Sequence, residues 1–166
     1  MWVVKLGGSL WSSAYLPAWL QRLHEAGPDV VVVPGGGPFA DSVRAAQDYW
    51  RFGDQHAHAM ALLAMEQMAH MVCGLYAGGV TVDTPAETAT ALARAELPVW
   101  AGARAARHHP AVETGWAMTS DSLALWLARE LGAEGVLLIK SAPLPAAGTA
   151  VSRLQGMGLV DGCFAR

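Results

Sequence analysis

Val3-Val4-Lys5-Leu6-Gly7-Gly8-Ser9-Leu10 sets one lysine inside a short apolar run and follows it with two glycines and a serine. Trp2 to Leu6 has the length and β-branched content of a strand. A helix is predicted after it, from Ser12 to Ala26, closed by Gly27-Pro28. The unit then repeats. Val30 to Val33 is wholly β-branched and apolar, as expected of an interior parallel strand covered on both faces. It stops at Pro34-Gly35-Gly36-Gly37-Pro38, and a second helix is predicted from Phe39 to Gln47. Two strand–glycine–helix units in succession point to a doubly wound α/β domain.

Further along, Asp54 to Tyr76 forms the longest helical pattern, with Ala57, Ala61, Leu62, Met65, Met68 and Val72 suited to close packing. Thr81 marks a short extended piece, and Pro85 with Glu87 opens a helix predicted to reach Ala95. Leu97 to Trp100 and Gly135 to Ile139 are predicted strands, and Leu123 to Leu131 a helix closed at Gly132. Ala101 to Pro110 fits a loop or irregular helix; Gly156-Met157-Gly158 and Asp161-Gly162 are turns in a tail of no clear pattern. Neither an internal repeat nor a linker interrupts the chain, so residues 1–166 are expected to form one domain.

Apolar residues make up 53% of the chain and charged residues 15%, which predicts a large core and excludes general disorder. No block of Lys and Arg accompanies the net charge of -3, so nucleic acid is not an expected partner. Such sparse surface charge suggests apolar surface covered by a second subunit, a homodimer first. No apolar run approaches the ~18 residues of a membrane span and no signal peptide opens the chain, so a cytoplasmic location is expected. Cys73 and Cys163 lack metal-ligand spacing and no HExxH occurs, so no protein metal site is predicted.

Glycines at the carboxyl end of a parallel strand let the backbone approach an anion, and the next helix N-terminus offers free amides. Gly7-Gly8-Ser9 and Gly35-Gly36-Gly37 both fit, and neither is a P-loop or a dinucleotide fingerprint. Lys5 could project toward the same crevice and stabilise charge on a transferred phosphoryl group, or simply reach solvent from a strand end. Lys140 closes a second strand, and these are the chain's two lysines. Thr119-Ser120-Asp121 could cap the helix that follows, or Asp121 could orient the two ammonium groups. His58 could touch substrate or be a satisfied half-buried histidine. Arg51, Arg104 and Arg107 are candidates for a phosphate clamp or are solvated. The tryptophans read as core or subunit contacts, since no basic track accompanies them.

Taken together, the Lys5-Leu6-Gly7-Gly8-Ser9 stretch, Pro34-Gly35-Gly36-Gly37-Pro38 and Thr119-Ser120-Asp121 strongly resemble the amino acid kinase superfamily, over nearly the whole chain. Ala57-His58-Ala59-Met60-Ala61, Trp116 to Asp121 and Leu138-Ile139-Lys140-Ser141 look most like one branch. That branch is the small kinase of methanofuran and tetrahydromethanopterin-linked cofactor biosynthesis. The resemblance implies a three-layer αβα sandwich with a mostly parallel open sheet, shortened at the C-terminus. It also implies ATP and Mg²⁺ as cofactors and a small phosphorylated metabolite, a furan-type precursor, as acceptor.

Carried onto this sequence, the resemblance makes Lys5, Asp121 and Lys140 catalytic and puts Gly7, Gly8, Ser9 and Ser141 on the nucleotide phosphates. Gly35, Gly36, Gly37, Arg51, His58 and Thr119 would hold the acceptor. The chain departs from the family pattern where an acidic turn is replaced by Lys140-Ser141-Ala142-Pro143. The other reading is therefore a non-catalytic ligand-binding or assembly subunit that partners another protein of the pathway.

Overall fold

The computed structural model describes residues 1–27 and 29–165. Pro28, half of the Gly27-Pro28 helix closure predicted above, lies outside the described residues. Five strands form one parallel sheet: β1 (Trp2–Leu6), β2 (Val30–Pro34), β3 (Gly79–Val82), β4 (Leu97–Trp100) and β5 (Gly135–Ile139). Their order is β3-β4-β2-β1-β5. β1 is flanked on both sides, with Lys5 opposite Val33 of β2 and Leu138 of β5.

The period of two along a strand sorts the side chains into two cores. Val3, Val31 and Val33 pack on one face with Leu62, Met65 and Trp126; Val4, Val32 and Leu6 pack on the other with Leu20, Leu23 and Val72. Lys5 shares the parity of Val3, so it stands on the first face one residue before the strand ends. That position is where the apolar layer stops.

Among the described residues there are seven helices: α1 (Leu16–Glu25), α2 (Gly37–Trp50), α3 (Asp54–Leu75), α4 (Pro85–Ala93), α5 (Ala103–Arg107), α6 (Ser120–Glu130) and α7 (Val151–Gly156). The arrangement is the expected αβα sandwich. In α1, Leu16, Leu20 and Leu23 recur at helical spacing and face the sheet. The predicted start at Ser12 is displaced to Leu16 because Gly8–Ser12 forms a 3-10 turn and Pro17 occupies the helix's first turn. α2 begins at Gly37, two residues before the predicted Phe39. Ala101 to Pro110 contains the short α5, and the unpatterned tail contains α7. No helix among the described residues is long and apolar enough to cross a membrane.

α4 illustrates how local chemistry fixes an element. Thr84 accepts a hydrogen bond from the Glu87 amide at 3.2 Å, and the Glu87 carboxylate returns to the Thr84 amide, closing a capping box with Pro85 just inside. Thr84→Ala is expected to lower stability by about 1 kcal/mol. Thermal denaturation should show this as a fall in Tm of about 2–4 °C; an unchanged Tm would mean the box contributes nothing.

Candidate active site

Two hydrogen bonds beyond the strand ends place the glycine loops. The Gly7 amide donates to the Ile139 carbonyl and the Gly35 amide to the Leu6 carbonyl, each at 2.8 Å. The ladder is thereby carried one residue past β1 on each side, so both loops leave the sheet at the level of Lys5 and Lys140. The loops then meet. A Cβ on Gly8 would sit 2.6 Å from the Gly37 nitrogen, and one on Gly35 would sit 2.6 Å from the Gly8 nitrogen. Only glycine permits that approach, and Gly37 also holds φ at +50°. The amides opening the 3-10 turn and α2 lack intrahelical acceptors and are available to an anion.

Buried Lys5 and Asp121 form a triad with half-buried Lys140. Asp121, 4% exposed, lies in the first turn of α6, where the helix dipole favours its negative charge. Its Oδ2 accepts from Lys140 Nζ at 2.7 Å, and its Oδ1 is 2.8 Å from Lys5 Nζ. The Lys5 contact is an ion pair that falls short of an aligned hydrogen bond to Oδ1. Burial pushes the Lys5 ammonium below the usual lysine range; Asp121 opposes that shift and Lys140 adds to it. With two cations and one anion the triad carries one net positive charge, the electrostatic signature of an anion site.

The triad closes one end of a cavity of about 570 Å³. Lys5, Lys140, Asp121, Gly8 and Ser9 line it on the sheet side, and Gly35, Gly36, Gly37, His58 and Thr119 line the remainder predicted from sequence. Gly7 does not reach this wall, since it is spent on the Ile139 bond. Neither Arg51 nor Ser141 lines the cavity: Arg51 is the exposed left-handed cap that ends α2, and Ser141 is exposed just beyond β5. Arg104 and Arg107 are likewise outside its lining. His58 is buried, its Nε2 without a hydrogen-bond partner, and burial holds its pKa below the ordinary value so that the ring is neutral at pH 7.

Sequence reasoning missed the outer end. Asp41, Arg44, Trp11 and Trp116 all line the cavity. The Arg44 guanidinium lies 4.2 Å from the Trp116 ring centre and pairs with Asp41 at 2.9 Å. Trp116 Nε1 donates to Gln47 Oε1 at 2.7 Å, tying the loop before α6 to α2. The signal was present as a spacing: Gly37, Ala40, Asp41 and Arg44 share one face of a helix that starts at Gly37. Of the two readings of Thr119-Ser120-Asp121, the cap by the Thr119 side chain is absent, its hydroxyl donating to Asp161 at 2.8 Å, while Asp121 meets both lysines.

The described residues contain no group of three or more His, Cys, Asp or Glu able to hold a metal ion, and both Asp121 oxygens face ammonium groups. The donor set thus fits anionic oxygens held by amides and ammonium groups. A divalent cation would fit here as part of a nucleotide complex, carried on the phosphate oxygens.

Comparison with known proteins follows the same lines. The profile of the amino acid kinase family matches residues 1–143. A curated relative, [5-(aminomethyl)furan-3-yl]methyl phosphate kinase of Methanocaldococcus jannaschii, is 26% identical over 141 residues, covering 83% of this chain. The chain spans 64% of that relative's length. Among solved structures, uridylate kinase from Archaeoglobus fulgidus superimposes with a TM-score of 0.70 at 15% identity, covering 99% of this chain and 83% of that one. UMP kinase from Ureaplasma parvum gives 0.69 at 12% identity, with the same coverages of 99% and 83%. These structural likenesses establish a shared fold, and the profile match carries the assignment further: the chain belongs to the amino acid kinase family.

Proposed function

We propose that this protein transfers the γ-phosphoryl group of ATP to the phosphate of a small acceptor of the aminomethylfuran-methyl phosphate type. The observation that carries the reading is the Lys5–Asp121–Lys140 triad facing two apposed glycine loops at one end of a single cavity. The acceptor class is supported by the M. jannaschii relative, whose name specifies such a phosphate.

In this reading an acceptor phosphate oxygen attacks the γ-phosphorus while the bond to the β–γ bridging oxygen breaks, and ADP leaves with that electron pair. No covalent enzyme intermediate is needed. Lys5 and Lys140 meet the charge that spreads over the transferring oxygens, held apart and oriented by Asp121. Amides of Gly8 and Ser9 receive nucleotide phosphate, and those of Gly36 and Gly37 receive the acceptor phosphate, the Gly35 amide being held by the Leu6 carbonyl. Mg²⁺ bound to ATP would offset charge on the nucleotide phosphates.

The test is calorimetric titration with a non-hydrolysable ATP analogue and Mg²⁺, with and without [5-(aminomethyl)furan-3-yl]methyl phosphate. Phosphorus NMR of turnover with ATP completes it, with UMP as the competing acceptor. Stoichiometric nucleotide binding and a diphosphate product from the furan compound alone are expected. Turnover of UMP alone would retain the kinase and reject the furan acceptor. Acceptor binding without any nucleotide signal would instead assign the protein to the non-catalytic, ligand-binding class, a reading favoured by the exposed Ser141 and Leu144 beyond β5.

A further inference from the structure

Asp161 lies in the C-terminal segment, outside the stretch that matches the family profile. Its carboxylate nevertheless sits at the N-terminus of the helix that carries Asp121. Oδ2 accepts from the Thr119 amide at 2.8 Å, the Thr119 hydroxyl at 2.8 Å and the Ser122 amide at 3.0 Å. Oδ1 accepts from the Ser122 hydroxyl and from the Cys163 amide at 3.0 Å. Its own carbonyl accepts from Gln155 Nε2 at 3.1 Å, which fastens the segment to α7. Five donors on one carboxylate fill all of its roughly four lone-pair sites, three of them sharing Oδ2.

α6 has no side-chain cap from its own N-cap residue, Thr119. Asp161 supplies the missing acceptor from a segment 39 to 42 residues away. The bonds fall on Thr119 and Ser122, the residues that bracket Ser120 and Asp121. An anion at this end is favoured by the helix dipole, and charge-assisted bonds of this kind are the strong ones. The first turn of α6 is therefore fixed on both sides of Asp121, whose two oxygens must meet two ammonium groups coming from different strands.

We propose that Asp161 is a positioning residue: clamping the first turn of α6, it sets Asp121 between Lys5 and Lys140 and adds a second negative charge to the surroundings of Lys5. Lys5 is paired with Asp121 of α6, and the charges of Lys140, just beyond β5, and of Asp161 in the C-terminal segment also act on it. Asp161 acts in the same direction as Asp121, favouring the charged ammonium.

The presence of only two lysines makes the idea measurable without any assay of activity. Protein labelled with ¹³C and ¹⁵N at lysine alone gives two side-chain Cε signals, assigned with Lys140→Arg. In Asp161→Asn the Lys5 signal should titrate at lower pH than in the parent, since a favourable charge is gone. Asp161→Glu keeps the charge and should hold the titration near its parental position. A folded Asp161→Asn whose Lys5 titration coincides with the parent overturns the proposal. Should Asp161→Asn fail to fold, Ser122→Ala decides: it removes one clamp bond, and both lysine signals must move, identical spectra being the overturning result.

The kinetic arm rests on the phosphoryl-transfer reading, whereas the titration does not, so the two fail separately. There, Asp161→Asn is expected to lower kcat on the order of 10²-fold with KM for ATP little changed, as displacement of a catalytic group does. A rise in KM with kcat intact would assign Asp161 to ligand binding and overturn the positioning role.

Discussion

Lys5→Ala should lower kcat by about 10²–10³, the loss that follows removal of one donor aimed at transition-state charge. The argument starts from position. Lys5 sits where an apolar residue is expected, on the buried face of the interior strand β1, is 5% exposed, and is held short of its normal protonation preference by burial. A group that merely served solubility would not be placed there. On the phosphoryl-transfer reading, KM for both substrates should change less than kcat, because charge on the departing β–γ bridging oxygen develops only as its bond breaks. A fall in kcat below threefold would remove Lys5 from the chemistry.

The same residue predicts an opposite effect on stability. The Lys5 pKa is depressed in the folded state, so between that value and the ordinary lysine value the unfolded chain binds more protons, and stability rises with pH across that window. Below the window the buried charge opposes folding. Lys5→Met removes that charge while Asp121 keeps Lys140 at 2.7 Å, converting a triad of net charge +1 into a neutral pair. Thermal melts of Lys5→Met at pH 7 should therefore give a Tm equal to or above the parent. A clear fall in Tm would mean that Lys5 holds the fold together and that the kinetic loss has a structural cause.

How much of this was legible depends on the range of the interaction. β1, β4 and β5 were readable at their boundaries because a short, mostly apolar run between turn residues has few alternatives. The pairing of Lys5 with Lys140 was suggested by two strand ends, and strand ends are local features. By contrast, the start of α2 was read at Phe39, since Pro38 looked like the end of a loop; Pro is also at home in a first turn, and the helix begins at Gly37. Asp41 and Arg44 fall inside the helix from either start, but only the packing of α2 against the loop that carries Trp116 turns their face to the cavity, whereas Arg51 ends the helix in solvent. Asp161 was beyond local reading altogether. Its meaning arises from donors some 40 residues earlier, and an Asp-Gly pair in isolation signals only a turn.

The apposition of the two glycine loops carries the second large effect. Gly35→Ala puts a methyl group 2.6 Å from the Gly8 nitrogen and 3.0 Å from its Cα, against backbone that is tied to Leu6 and Ile139 on either side. A flexible side chain could move aside; these main-chain atoms can yield only by parting the loops. Overpacking of this kind destabilises by about 1–3 kcal/mol, read as about 2–4 °C of Tm per kcal/mol. In the proposed function, parting the loops also shifts the amides assigned to donor and acceptor phosphates, and a displacement of about 1 Å is enough to lower turnover on the order of 10²-fold. Gly8→Ala meets Gly37 backbone at 2.6 Å and should behave alike, while Gly53→Ala, with φ at -69° and no atom within 4 Å, should leave both Tm and turnover at parental values. If Gly35→Ala and Gly53→Ala prove indistinguishable in melts and turnover, the loops do not need to touch, and the glycines at 8 and 35 must be explained by something other than the geometry of phosphate transfer.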